Sequence, residues 1–379
     1  MHMLVLLALA TASSSAAPAD ALGYAFKFAS AITADPKDMG KAQEAVVWDY
    51  ATARRFDEAR AAADVVEGWR RGTAYADLAV ALAKAGRRDD ATAMIAKAEA
   101  FRPTVEGWPN PRIAEHIAGA YAALGQSEKA EALARAVAIE DVQQYAGRST
   151  ATIASGLAAK GDYDGAAGAL DKLASSKEID DAWWRTAGYL DLSKSKTMPL
   201  DRRRKAIASA RSSAEAIPGW RQAESLESIA GGFHDLGMPR QAKEALTAAE
   251  AIVTALPDTM PIKPALLSNC GRSWAEIGKK DAAKNLLEKA EALGVAAQPI
   301  DRPMVLANTA SSWAAAGDTP SAKRLYARAL DEAKALVNAR PRALAVVEIC
   351  RSIGKSKLVL DDATRTKLDA LYAGLKEPW

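Results

Sequence analysis

The apolar positions of this chain repeat on two length scales. On the short scale they stand 4, 7 and 8 residues ahead of a glycine, often with another at 11. That spacing is one stripe along an α-helix. On the long scale the glycine itself returns at Gly86, Gly125, Gly161, Gly237, Gly278 and Gly317, each followed five residues later by an alanine. Arg54 and Ala59 fit the same frame with the glycine replaced, and Gly354 follows a similar first helix before the pattern drifts. The interval from Gly161 to Gly237 is double the others, so one unit lies hidden inside it.

The residues filling these positions predict their environment. Pairs such as Leu78-Ala79, Ile117-Ala118, Ile229-Ala230 and Cys270-Gly271 set a larger residue beside a small one. The position four before the glycine is bulky in Tyr50, Leu82, Tyr121, Leu157, Phe233, Trp274 and Trp313. Glycine then ends the helix by taking the left-handed turn that other residues resist. The alanine five residues on opens a second helix where two axes pass closely. Each unit is a helical hairpin that cannot bury its stripe alone and must stack on its neighbours. Alternating runs of β-branched and aromatic residues, the mark of strands, are missing.

The stretch Gly161–Leu170, "GDYDGAAGAL", resembles the central turn of the tetratricopeptide repeat, and Pro103 falls where such repeats often end. The resemblance covers roughly residues 38–376, with a period of 36–41 residues in place of the family's 34. It implies an all-α, right-handed α-solenoid of about nine hairpins, behind a leading helix near Ala21–Ala34 that caps the array within residues 18–37. It also implies a concave face, built by the first helices, that binds a protein or peptide.

The extra residues fall between one hairpin and the next. There "VEGW" occurs twice, at Val66–Trp69 and Val105–Trp108, and "IPGW" once, at Ile217–Trp220. All three tryptophans stand seventeen residues ahead of their aligned glycine. The expectation is that Gly68, Gly107 and Gly219 turn the backbone while the indoles wedge between layers. Trp108→Ala would then cost about 3–5 kcal/mol. The rival reading makes these tryptophans a platform for carbohydrate.

Composition narrows the class. Apolar residues make up 49% and charged residues 26%, a folded chain and not a disordered one. The net charge is only +3, with both signs interleaved throughout, so no basic face marks a nucleic-acid binder. Met3–Ala10 is a short apolar run followed by small residues, the outline of a secretory signal peptide over residues 1–17 that would direct export. No later stretch is long and apolar enough to span a membrane. Cys270 and Cys350, in equivalent places two repeats apart, should sit on the order of 20 Å from each other. They are expected as buried free thiols.

Catalytic and metal motifs do not stand out: no CxxC, no His pair at i, i+4, no GxSxG and no phosphate-binding glycine loop. The expectation is a non-enzymatic scaffold with no cofactor and no metal. An enzyme with a carboxylate pair about 5–9.5 Å apart in the groove is the third reading. On the first helices, residues 13, 10, 6, 3 and 2 before the glycine form a second stripe beside the core. They include Lys84, Arg112, Glu115 and Arg148, mildly basic, then Glu224, Glu227, His234, Asp235, Arg272 and Glu276, largely acidic. A polar groove of this kind suits an extended charged peptide. The hidden unit adds Arg202, Arg203 and Arg204 in the first turn of a helix that Asp201 is placed to cap. Positive charge there opposes the helix dipole. Compensation by Asp180, Asp181 or Asp191 is one account, and a docking loop for an acidic partner is the other.

Overall fold

The computed structural model describes residues 20–140, 146–175, 179–376 and 379; the leader at Met3–Ala10 lies outside them. Nineteen α-helices and no strand occur among the described residues. The helices come in two layers. The inner layer is α2 (Pro36–Thr52), α4 (Arg70–Lys84), α6 (Pro109–Ala123), α8 (Ala146–Ala159), α10 (Ile179–Lys194), α12 (Trp220–Asp235), α14 (Lys263–Glu276), α16 (Arg302–Ala315) and α18 (Ala339–Lys355). The outer layer holds α3 (Phe56–Ala63), α5 (Arg88–Phe101), α7 (Ser127–Glu140), α9 (Tyr163–Asp171), α11 (Leu200–Ala214), α13 (Pro239–Ala255), α15 (Lys280–Ala296) and α17 (Thr319–Ala335). Each outer helix packs on the inner helix before it, and each inner helix packs on the next, which is an all-α solenoid of stacked hairpins.

The turn within each hairpin forms as its sequence requires. Gly86, Gly125, Gly161, Gly237, Gly278 and Gly317 all have φ between 67° and 88°, and Arg54 takes the same left-handed conformation at 60°. The alanines that follow (Ala59, Ala91, Ala130, Ala166, Ala242, Ala283 and Ala322) are all buried. In the last unit the left-handed residue is Lys357 and not Gly354. Gly354 instead lies within α18, where an added Cβ would stand 2.9 Å from Leu22 Cγ.

That contact reveals how the array ends. Helix α1 (Ala21–Ser30) packs on α2 of the first hairpin and more extensively along α18, whose outer partner it is. The inner layer also returns on itself, with α18 packed on α2. The nine inner helices thus make a closed circuit, and the ninth hairpin is assembled from both ends of the chain. One apolar core runs through the junction, from Leu22, Phe28 and Val46 to Val346, Ile353 and Leu368. Tyr24, Phe28 and Ile32 are at most 1% exposed. Burial of side chains of this size is worth about 1.5–3 kcal/mol each. Polar contacts sit across the same seam. Arg351 Nε meets Asp49 2.5 Å away, Lys355 reaches the same carboxylate at 3.2 Å, and Tyr24 donates to Asp369 at 3.0 Å. The final helix, α19 (Asp362–Ala373), lies outside against α17 and sets Tyr372 edge-on to Phe28.

The joints between hairpins are held differently from the expectation. Gly68, Gly107 and Gly219 do turn the backbone, at φ 64°, 74° and 64°. The aliphatic residue at the head of the motif is more enclosed than the indole: Val66 and Ile217 are buried and Val105 is half-buried. Trp69 and Trp220 are half-buried against the core, and Trp108 is 63% exposed. A cation does further work at the joint. Arg71 donates to Val66 O, Arg302 to Ala297 O and Arg342 to Leu336 O, while the buried Lys263 bonds Thr254 O, Leu256 O and Asp258. Arg302, Arg342 and Lys263 tie up carbonyls left open at the end of the preceding outer helix, and Arg71 ties up one in the joint itself. Cys270 and Cys350 are buried free thiols.

Candidate functional site

The inner helices turn one common stripe toward the interior of the circuit. Its clearest part is a cleft shared by α4, α6, α8 and α10, lined by Lys84, Gly119, Arg148, Ser155, Trp184 and Asp191 among others. Lys84 and Arg148, picked out by their helical phase, both line it. The floor is made of glycine, alanine and serine, which lets the flanking charged side chains approach one another. Lys84 Nζ comes within 3.8 Å of Asp191, although their helices are three places apart in the circuit.

A chain of polar contacts stiffens the upper wall of this cleft. His116 Nδ1 lies 2.7 Å from Asp77, and Arg148 Nη2 lies 3.1 Å from His116 Nε2. A neutral imidazole that donates from Nδ1 and accepts at Nε2 satisfies both contacts. Arg148 Nε is 2.8 Å from Glu115 Oε1, but neither oxygen of that buried carboxylate receives a well-directed hydrogen bond. Burial therefore pushes the Glu115 carboxyl above the usual range, against the pull of Arg148. The guanidinium of Arg148 also faces the Trp184 ring, and Arg112 stacks over Trp69.

The other half of the stripe is built around Glu227 on α12. Its carboxylate accepts from Ser273 and lies 3.8 Å from Arg272, yet desolvation holds its pKa above the ordinary value, with Glu224 and Glu276 adding to the rise. Those last two are thus close enough to be felt electrostatically. Glu224 shares the helical phase of Arg148, and Asp235 and Glu276 share that of Lys84. Among the described residues, Glu224, Asp235 and Glu276 carry no ion pair, and His234 beside them is exposed. In the expected basic half Lys84 is met by Asp191 and Arg148 by Glu115, whereas Glu224, Asp235 and Glu276 in the acidic half keep open charge.

Arg202, Arg203 and Arg204 do not join this face, because α11 belongs to the outer layer. Their partners also differ from the expected carboxylates. Arg202 makes a two-pronged contact with Asp164 at 2.7 and 3.2 Å, Arg203 donates to Ser193 O, and Arg204 to Leu236 O. The last two carbonyls end α10 and α12, where positive charge is favourable. Arg88 does the same for Leu124 O in an earlier unit. The cost expected at the start of α11 is offset by the ends of its neighbours. Pro199, not Asp201, occupies the cap position of that helix.

Reading by the glycine frame missed several inner residues. Trp184 and Asp191 belong to the hidden unit, which has no aligned glycine. Asp77 and His116 both stand nine residues before theirs, between the two stripes. Trp48, 42% exposed, stands six before Arg54, an inner-face phase that the missing glycine obscured. Among the described residues no cluster of three His, Cys, Asp or Glu side chains is arranged to hold a metal ion, and no helix is long and apolar enough to cross a membrane.

No family model matches the sequence, and no curated protein does. Solved structures do. A kinesin light chain from Podosopora anserina with nearly identical TPR-like repeats is 18% identical over 58% of this chain and 93% of that one, at a TM-score of 0.31. The apo form of the quorum sensor NprR from B. thuringiensis is 13% identical over 82% and 87%, at 0.33. A circular tandem repeat protein is 13% identical over 94% and 93%, at 0.24. Its hairpin turns, buried alanines and layered helices make the chain an all-α helical-repeat solenoid in architecture.

Proposed function

We propose that this protein is a non-enzymatic scaffold that takes an extended, basic segment of a protein partner against its inner helices. The observation that carries the reading is the open negative charge of Glu224, Asp235 and Glu276, on the same helical phases as the Arg148 and Lys84 that line the inner cleft. Complementary charge steers such a segment in and fixes its register. Export by the leader at Met3–Ala10 belongs to the same proposal, and amino-terminal sequencing of the mature chain tests it: a start near Ala17 supports export, and an intact Met1 contradicts it. A labelled dodecapeptide alternating lysine and alanine tests the binding surface. At low salt it should bind, and Glu224→Lys with Glu276→Lys should weaken binding at least tenfold. Equal binding by the double variant removes the reading.

A second reading keeps the joint tryptophans as a carbohydrate platform, and the 63% exposure of Trp108 favours it. Trp69 is the weaker candidate, since Arg70 and Arg112 already cover its ring. Fluorescence titration with soluble cell-wall glycans separates the two. Quenching that Trp108→Ala abolishes supports the platform, and an unchanged spectrum excludes it.

A further inference from the structure

The closed circuit restricts how anything reaches the inner face. In an open solenoid the concave surface is approached from the side. Here α18 packs on α2, and α1 seals the outer layer behind them. The seal is part of the main core: Tyr24, Phe28 and Ile32 are buried, and Leu22 sits against the bare backbone of Gly354. Arg351 and Lys355 share Asp49, itself 2% exposed, and Arg340 holds Asp35 across the same seam. With the seam packed into the core in this way, the two axial mouths are the routes of entry that remain.

The size of the opening limits what can pass. Nine helices at roughly 9–10 Å spacing can enclose at most a circle about 27 Å across between axes, so the opening is no wider than roughly 15 Å once the helices' own width is removed. The Lys84–Asp191 contact narrows this further on the side of α4 to α10. An extended strand or one bare helix fits such a space. A folded domain of about 100 residues, with a radius of gyration near 13 Å, does not.

We infer that the inner face is loaded end-on, so that its partner presents a free chain terminus and not a segment flanked by folded domains. This rests on the reading of the inner face as a binding surface. The test offers the lysine–alanine dodecapeptide in three forms: free, as the tail of one folded domain, and joined at both ends to folded domains. The first two should bind alike and the third at least tenfold more weakly. Equal binding of the third form overturns the inference. A ring locked by a disulfide between Leu22→Cys and Gly354→Cys supplies the second arm. The free peptide should bind the locked and the reduced protein equally; binding seen only after reduction would mean that the ring opens to load, and would overturn the inference as well. Binding by none of the three forms removes the basic-segment reading itself, and end-on loading with it.

Discussion

Ile217 and Trp220 stand three residues apart in one joint and divide its work unequally. The isoleucine is 1% exposed, while the indole lies half-buried at the edge of the core. Size alone would favour the tryptophan, but what counts is the surface taken from water. Ile217→Ala should cost about 2–5 kcal/mol. Trp108→Ala, which gives up an edge-on contact with Trp69 and little burial, should cost about 1 kcal/mol. Denaturant midpoints of the two variants check the order, and a larger loss at Trp108 would restore the indole as the wedge. The motif itself was visible in the sequence, but its division of labour was not. "VEGW" states which residues recur at the joint; it does not state which of them faces a neighbouring layer.

At the scale of the element, small residues have two different reasons to be small. An added Cβ at Gly271 would stand 2.8 Å from Leu287 Cγ, since the outer helix sets that leucine directly onto the inner backbone. Gly231, in the same kind of inner helix, has nothing within 4 Å of that position. Alanine favours a helix over glycine by about 0.5–1 kcal/mol, and overpacking costs about 1–3 kcal/mol. Gly231→Ala should therefore raise the melting temperature and Gly271→Ala should lower it; a shift in the same direction for both would contradict the packing described. Helix α17 carries a second test. The Ser321 backbone N–H and hydroxyl both donate to Asp318, holding its carboxyl below the usual 3.8. A lowered folded-state pKa gives stability that is present above the ordinary value and lost as pH falls through the lowered one. Asp318→Ala should be less stable than the parent at neutral pH, with the gap closing below about pH 3.8. Melting curves across pH 2–7 decide it, and a gap constant over that range would rule out the cap as the cause.

At the scale of the whole molecule, the hairpins were legible and the ring was not. Turn glycines, crossing alanines and the helical stripe are local patterns, and the chain repeats them often enough to be read. Closure depends on Leu22 meeting Gly354 and on Asp49 meeting Arg351, pairs more than three hundred positions apart that share no repeat signal. The drifted last unit hid the same fact. With Gly354 taken as the turn residue, the repeat frame pairs α18 with the helix that follows it, whereas it is α1 that takes the outer place beside α18. The charged stripe was similarly half legible. Helical phase located Lys84, Arg148 and Glu224, but the neutralising Asp191 lay in the unit without a glycine. Oxidative cross-linking of Leu22→Cys with Gly354→Cys, in a background where Cys270 and Cys350 are replaced by alanine, tests the closure most directly. The Cβ atoms of the two positions lie within reach of the 3.5–4.5 Å that a disulfide needs. The account predicts a quantitative link within the monomer, seen as one joined peptide by mass spectrometry. Free thiols, or links only between separate molecules, would mean that the two ends do not meet.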